Sequence, residues 1–243
     1  ETQVFFAQKK EATLSDIQRI HKITDGWAGG LTLISESMRQ SRGLSHLPDR
    51  VSSDVFDYFS REIYNTLPDS IRRFLMVTAI LDTIDPDLTN QLVHSVDGLE
   101  ILTTLEKRNL FIQRLESDGH GPTFKYHRLF RDFLLQDLTR TLDHETICNL
   151  YHTAGRIYWE KKDHEQALDC FVRAKAYPDV VNILKIKGIA YIITGKTLRL
   201  ERWISALPEA LKKDDPWLIF FSTMTRRIKG GKKNILAFQR ALS

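Results

Sequence analysis

One stretch of this chain leaves helical periodicity, and it constrains the fold more than any other. Leu110-Phe111-Ile112-Gln113-Arg114-Leu115 is an apolar run that reads as a strand. Asp118-Gly119-His120-Gly121-Pro122 is a turn signal, and Thr123-Phe124-Lys125-Tyr126 reads as the returning strand. On both sides, apolar residues return every three to four positions, the spacing of helices with one buried face. A lone two-stranded hairpin is marginal in water, so it must lean on helices. The fold class is therefore mainly α.

Before the hairpin, Ser15 or Asp16 caps a helix through Ile17, Ile20 and Ile23, and Trp27 to Arg42 continues as a second. A new unit begins at Val51, with Val55, Phe56, Phe59 and Ile63 at helical spacing. Leu67-Pro68-Asp69 breaks that helix, and Asp69 is placed to cap the next, which carries Ile71, Phe74, Leu75 and Leu81. Asp85-Pro86 opens a short helix ending near Ser95, and Asp97 caps a third, to Asn109, with Leu99, Leu102 and Leu105 facing inward. Helix, helix and a two-stranded wing make the winged variant of helix-turn-helix. A long helix follows from about His127, with Leu129, Phe130, Phe133, Leu134 and Leu138 inward.

After Asp143 only helix pairs remain. Ile147, Tyr151, Ala154 and Tyr158 mark one helix, and Ala167, Leu168, Phe171 and Ala174 mark its partner. Val180, Ile183 and Leu184 start another pair, and Leu200, Trp203 and Leu207 belong to one more, before Pro208. Trp217 to Ile228 and Ile235 to Leu242 complete the set. The spacing is that of an irregular tetratricopeptide-like array with a repeat of about 34 residues. The organisation expected is a helical domain over 1–50, a winged-helix domain over 51–142 and TPR-like hairpins over 143–243.

Ile193-Thr194-Gly195-Lys196-Thr197 ends like a phosphate-binding P-loop, but Ala190 stands where that pattern needs glycine. A P-loop also follows a buried strand, and this one follows a helix. Gly195 reads instead as a left-handed helix C-cap. His144-Glu145 and His164-Glu165 begin like the zinc motif H-E-x-x-H, but Cys148 and Leu168 occupy the second histidine positions. No metal site and no catalytic constellation is expected, so this segment is not read as an enzyme. The two cysteines, Cys148 and Cys170, fit free buried thiols in a reducing cytoplasm. No apolar run is long enough to span a bilayer.

The net charge of +4 is uneven: from Lys196 to Ser243 eleven Lys or Arg face four Asp or Glu. Arg226, Arg227, Lys229, Lys232 and Lys233 are either a partner patch or a solvated helix end. The helix from Asp97 to Asn109 sets Glu100 and Glu106 against Lys107 and Arg108, which is weak charge for reading DNA. His127, with Arg128 and Arg131 within one turn, sits where the second strand becomes a helix. Helix N-termini favour anions, so these three are candidates for a phosphate contact; an ordinary capping histidine is the alternative.

The ordered set "DGWAGGL" (Asp25–Leu31), "FDYFSREIYNTLP" (Phe56–Pro68), "LEKRNLFI" (Leu105–Ile112), "YHRLFRDFL" (Tyr126–Leu134) and "RWISALP" (Arg202–Pro208) resembles the middle of MalT-like regulators, signal-transduction ATPases of the STAND class. The resemblance runs from about residue 14 to about 230. It implies an upstream nucleotide-binding domain in cis, ADP or ATP with Mg held there rather than by this segment, and a separate DNA-binding effector of LuxR type. It also implies an inducer molecule or regulatory protein acting on the repeats, and self-association on activation. The chain begins with Glu1, which fits a piece of a longer, cytoplasmic protein. The family's winged-helix histidine contacts the β-phosphate of ADP, and His127 matches that position. Trp27, Gly29 and Gly30 match the helical-domain motif, although Ala28 replaces the usual proline. The residues themselves also admit a helical-repeat adaptor with no nucleotide dependence, or a nucleic-acid binder through Lys125 and the basic patch.

Overall fold

A computed structural model describes residues 64–93, 97–107, 111–115 and 121–227. The expected helices before Tyr64 and after residue 227 lie outside these residues, as do Trp27, Gly29, Gly30, Lys229, Lys232 and Lys233. The chain divides between Asp143 and His144 into two compact units.

In the first unit, a short 3-10 turn at Tyr64–Thr66 leads into α1 (Asp69–Thr78). Pro68, extended at φ −56° and ψ 148°, takes the N-cap position, so Asp69 does not cap; it opens the first turn and pairs with Arg72. Phe74 to Thr78 are all buried. The helix stops there, so Leu81 reaches the core from the bend that follows, not from a helical face. α2 (Pro86–Val93) and α3 (Gly98–Lys107) form the helix-turn-helix pair. Asp85 accepts from the Asp87 amide at 2.9 Å and Asp97 from the Glu100 amide at 3.1 Å, so both helices start where acidic caps stand. Leu102 and Leu105 are buried, but Leu99, in the first turn of α3, is 42% exposed.

Strands β1 (Ile112–Leu115) and β2 (Thr123–Tyr126) pair antiparallel, with Ile112 opposite Tyr126 and Leu115 opposite Thr123. A third piece joins them. Ile84, between α1 and α2, exchanges both backbone bonds with Phe124, at 2.7 and 2.9 Å. This bridge ties the wing to the helical body. α4 (Arg128–Thr141) then buries Leu129, Phe130, Phe133, Leu134 and Leu138, the five positions its periodicity named.

The second unit is a set of helical repeats. α5 (His144–Glu160) pairs with α6 (His164–Arg173), and α7 (Tyr177–Ile193) with α8 (Thr197–Ser205). A short α9 (Glu209–Asp214) precedes α10 (216–227). The first two pairs are regular rather than irregular. His144 and Tyr177 begin the first helices, Glu160 and Ile193 end them, and His164 and Thr197 begin their partners, a displacement of 33 residues each time. Gly155 and Gly188 hold the same place in the repeat. A Cβ on Gly155 would lie 2.8 Å from the Phe171 ring, and one on Gly188 would collide with Phe221. Tyr151, Ala154 and Tyr158 are buried and Ile147 half-buried.

Three helices end in one device. At α5, α6 and α7 the residues in the left-handed region are Lys162 (φ 62°), Lys175 (φ 56°) and Gly195 (φ 74°). Each following amide reaches back to the carbonyl of the third-last helical residue: Asp163 to Tyr158 at 2.9 Å, Ala176 to Phe171 at 2.9 Å and Lys196 to Tyr191 at 2.8 Å. These are Schellman caps. "ITGKT" is thus a helix stop, with Gly195 as its cap. A side chain in this conformation costs about 1–2 kcal/mol. Lys162→Gly should therefore stabilise the second unit by about 1 kcal/mol and Gly195→Ala should destabilise it by a similar amount. Hydrogen exchange of the α5 and α7 amides checks both, and equal protection in the two variants and the parent would refute the cap assignment.

Candidate functional site at the strand-to-helix junction

The junction is built from its backbone. His127 is the N-cap residue of α4, at φ −56° and ψ 141°. Its amide donates to the Phe111 carbonyl at 2.8 Å, and its carbonyl accepts from the Arg131 amide at 2.9 Å. Phe111 reaches that position in the left-handed region, at φ 58°. This is unusual for an aromatic residue and costs about 1–3 kcal/mol. The ring is repaid by burial: it is 3% exposed and lies 5.0 Å from the Phe130 ring. Phe130 also meets Tyr126 edge-on at 5.8 Å and stacks with Phe133 at 6.2 Å. The backbone of His127 is therefore held by β1 on one side and α4 on the other.

The side chains divide the work. The half-buried His127 ring does not cap the helix. Arg128 is exposed and lies 3.9 Å from Asp132, one turn on. No acidic residue lies in the first turn of α4, so nothing there opposes the positive end of its dipole. Burial raises the Asp132 carboxyl above the ordinary carboxylate range, with Arg128 and Arg131 working against that. Arg131 turns into the unit. Its Nε donates to the Ala79 carbonyl at 2.8 Å and its Nη2 to Ile80 at 3.4 Å, and it pairs with Asp82 at 2.6 Å. These carbonyls follow the end of α1, where intrahelical donors run out.

Two buried hydroxyls complete the frame. Tyr126 and Thr78 hydrogen-bond at 2.7 Å between β2 and α1. Burial pushes the Tyr126 hydroxyl far above its ordinary range. Tyr64 donates to Asp137 at 2.7 Å. Burial, then the bond to Asp137, pushes the Tyr64 hydroxyl up as well.

His127, Arg128 and Arg131 are thus brought together in one turn. Arg226 and Arg227 are exposed on α10, and Lys125 is exposed on β2. Glu106 of α3 pairs with Arg114 of β1 at 3.1 Å. Cys148 and Cys170 are free; Cys170 is buried and Cys148 half-buried, 3.7 Å from His144. Among the described residues no helix is long and apolar enough to cross a membrane. Periodicity did not point to Phe111's conformation, the Ile84 bridge or the Arg131–Asp82 pair. Their partners are far away in sequence, and a left-handed phenylalanine has no sequence signal.

Residues 60–146 match the MalT winged helix domain. The HTH-type transcriptional regulator MalT of Vibrio campbellii is 27% identical over 226 residues, which is 90% of this chain and 25% of that protein. This is a MalT-like segment. MalT of Vibrio cholerae is 28% identical over 214 residues, 85% of this chain and 23% of its own length. The serine/threonine-protein kinase PknK of Mycobacterium tuberculosis is 31% identical over 158 residues, 64% of this chain and 14% of that protein. The MalT-like segment spans a quarter or less of the length of these relatives. In the MalT-like winged helix, the matched range holds both strands and the whole of α4, so the His127 junction lies inside it.

Arg131→Ala should destabilise the first unit by about 2–3 kcal/mol, because it strands two carbonyls and Asp82. Arg128→Ala, at an exposed and loosely paired site, should cost less than about 0.5 kcal/mol. Native-state hydrogen exchange of the α1 and α4 amides separates the two, and equal losses would refute the division of labour.

Proposed function

We propose that this chain is the regulatory segment of a nucleotide-dependent switch of the STAND class that controls transcription. The observation that carries the reading is His127, at the strand-to-helix junction inside a MalT-like winged helix. In this reading the nucleotide lies in an upstream domain of the same polypeptide, with Mg, and this segment supplies a contact and no catalysis. ADP holds a closed state in which the His127 ring meets the β-phosphate. The positive end of the α4 dipole and Arg128 add favourable potential for an anion. Arg131 serves by fastening the helix that carries them.

The repeats over 143–243 are the receiving arm, where an inducer or a regulatory protein favours the open state. A ligand shifts such a balance only by its differential affinity for the two states. ATP then supports self-association in the cytoplasm, and a separate effector domain meets DNA. The relatives favour a module that does not itself make the output. One is named for a kinase and the others for a transcriptional regulator, yet each matches 64% or more of this segment.

The experiment uses the full-length protein. It is purified, denatured and its released nucleotide identified by chromatography, for wild type and His127→Ala. Wild type should carry ADP. The variant should bind it about ten- to a hundredfold more weakly, the loss of one hydrogen bond to a charged group. No nucleotide in either, and none taken up on addition, would leave a helical-repeat adaptor without nucleotide dependence.

A further inference from the structure

His164 opens α6 and stands where three helices meet. Its ring lies 4.7 Å from the Trp159 ring of α5, and the half-buried Lys187 of α7 is close enough to act on its charge. Its Nδ1 is buried and makes no hydrogen bond. Thr197 opens α8 at the same place in the repeat, 7% exposed. The repeat turns this position inward. The second pair fills it with a hydroxyl, and the first fills it with a base.

A neutral imidazole suits these surroundings and a charged one does not. With the proton on Nε2, the buried Nδ1 is an unpaired acceptor; with both nitrogens protonated, it becomes the unpaired donor of a buried cation. The neighbouring charges add to this. Lys187 faces the ring from α7, and the first turn of α6 presents the positive end of its dipole. Asp163, the N-cap, favours the cation, but its carboxylate also accepts the Gln166 amide at 3.2 Å. Glu165, next along α6, is taken by Lys196 and Arg199. From α5, Trp159 brings no charge, and Glu160, Lys161 and Lys162 at its end are exposed. Tyr191 of α7 stays neutral, its hydroxyl pushed up by burial and then by Asp163. Burial first, and then Lys187, hold the His164 ring below the ordinary histidine range, with Asp163 working against them.

We infer that His164 is a proton-operated latch between the first two helix pairs: neutral, it closes α6 on α5 and α7, and taking up a proton loosens that seam. The sign follows from linkage. The folded unit binds this proton more weakly than the unfolded chain. The latch is therefore fully closed above about pH 6.5, and its contribution is lost as pH falls from there toward the lower folded value. His152 acts in the opposite sense: it lies 3.4 Å from Asp179, in a pair that becomes ionic only when the ring takes a proton. The latch acts in the second unit whether or not His127 meets nucleotide, so the two readings fail separately.

The test uses the whole chain. NMR of the imidazole nitrogens reads the His164 titration directly. Hydrogen exchange of the α6 and α7 amides, corrected for intrinsic rates, reads the seam at about pH 7.5, 6.5 and 5.5, on either side of the ordinary histidine range. His164 should titrate below that range. On acidification the wild-type seam should open more than that of His164→Gln, by up to about tenfold per pH unit, the most that one proton can give. His164→Thr, which copies the second pair, should match His164→Gln. Lys187→Met should shrink the gap, and His152→Gln should leave it. A ring that titrates at or above its ordinary range overturns the inference. So does a gap that stays flat with pH, or one that vanishes in His152→Gln.

Discussion

The Arg131 guanidinium fixes the bend that follows α1. The end of α1 leaves the carbonyls of Ala79 and Ile80 without helical donors, and Arg131 supplies them from α4. Asp82 balances the charge. Because the bend after α1 is fixed, Ile84 arrives in register to bridge Phe124, and the wing is tied to the helices. Because β2 is fixed, Tyr126 meets Thr78 and His127 arrives at the start of α4. A positively charged side chain 21% exposed thus does what an apolar contact could not. It satisfies two directional acceptors and one carboxylate from a single planar group.

The second unit rests on a different economy. Its repeats need a stop at each helix end and a close approach at each pair. Lys162, Lys175 and Gly195 provide stops; Gly155 lets α5 approach Phe171 of its partner, and Gly188 lets α7 approach Phe221 of α10. The pairs are then linked along α6 and α8. Asp169 accepts from the buried Trp203 indole at 2.5 Å and from Arg202 at 2.7 Å, while Glu165 takes Lys196 and Arg199. The "RW" of Arg202-Trp203 is therefore a packing signature: the ring fills the core, and its one polar atom and its neighbour share a carboxylate.

Much of this was legible in the sequence. The change of period at Leu110 located the wing, and the five apolar positions of α4 were named one by one. Asp85 and Asp97 announced helix starts. What failed did so for physical reasons. Asp69 looked like a cap, but the extended backbone of Pro68 already serves that position. Leu99 obeyed apolar spacing yet faces outward. One period was concealed because Lys162 stands where its counterpart 33 residues on is Gly195. At the candidate site, histidine and arginines near a helix start were readable as types. Their division into an exposed Arg128, a half-buried His127 and an inward Arg131 was not, because it depends on where α1 ends.

Magnitudes limit what His127 can do in a switch. Moving a two-state balance from 1:99 to 99:1 takes about 5.5 kcal/mol of differential binding. One hydrogen bond from a histidine to a charged phosphate supplies about 1.5–3 kcal/mol. In the proposed switch His127 alone is therefore too weak to set the state, and the rest of a nucleotide site supplies the remaining ~2.5–4 kcal/mol. In the proposed reading the value of His127 lies in coupling instead. The His127 backbone is bound to Phe111 and to α4, and Phe111 is held in a conformation worth about 1–3 kcal/mol of strain. A ligand that pulls on the ring acts on a strained residue of comparable energy. Through Arg131, it also acts on the end of α1. Small forces at that junction have two helices and a wing to move.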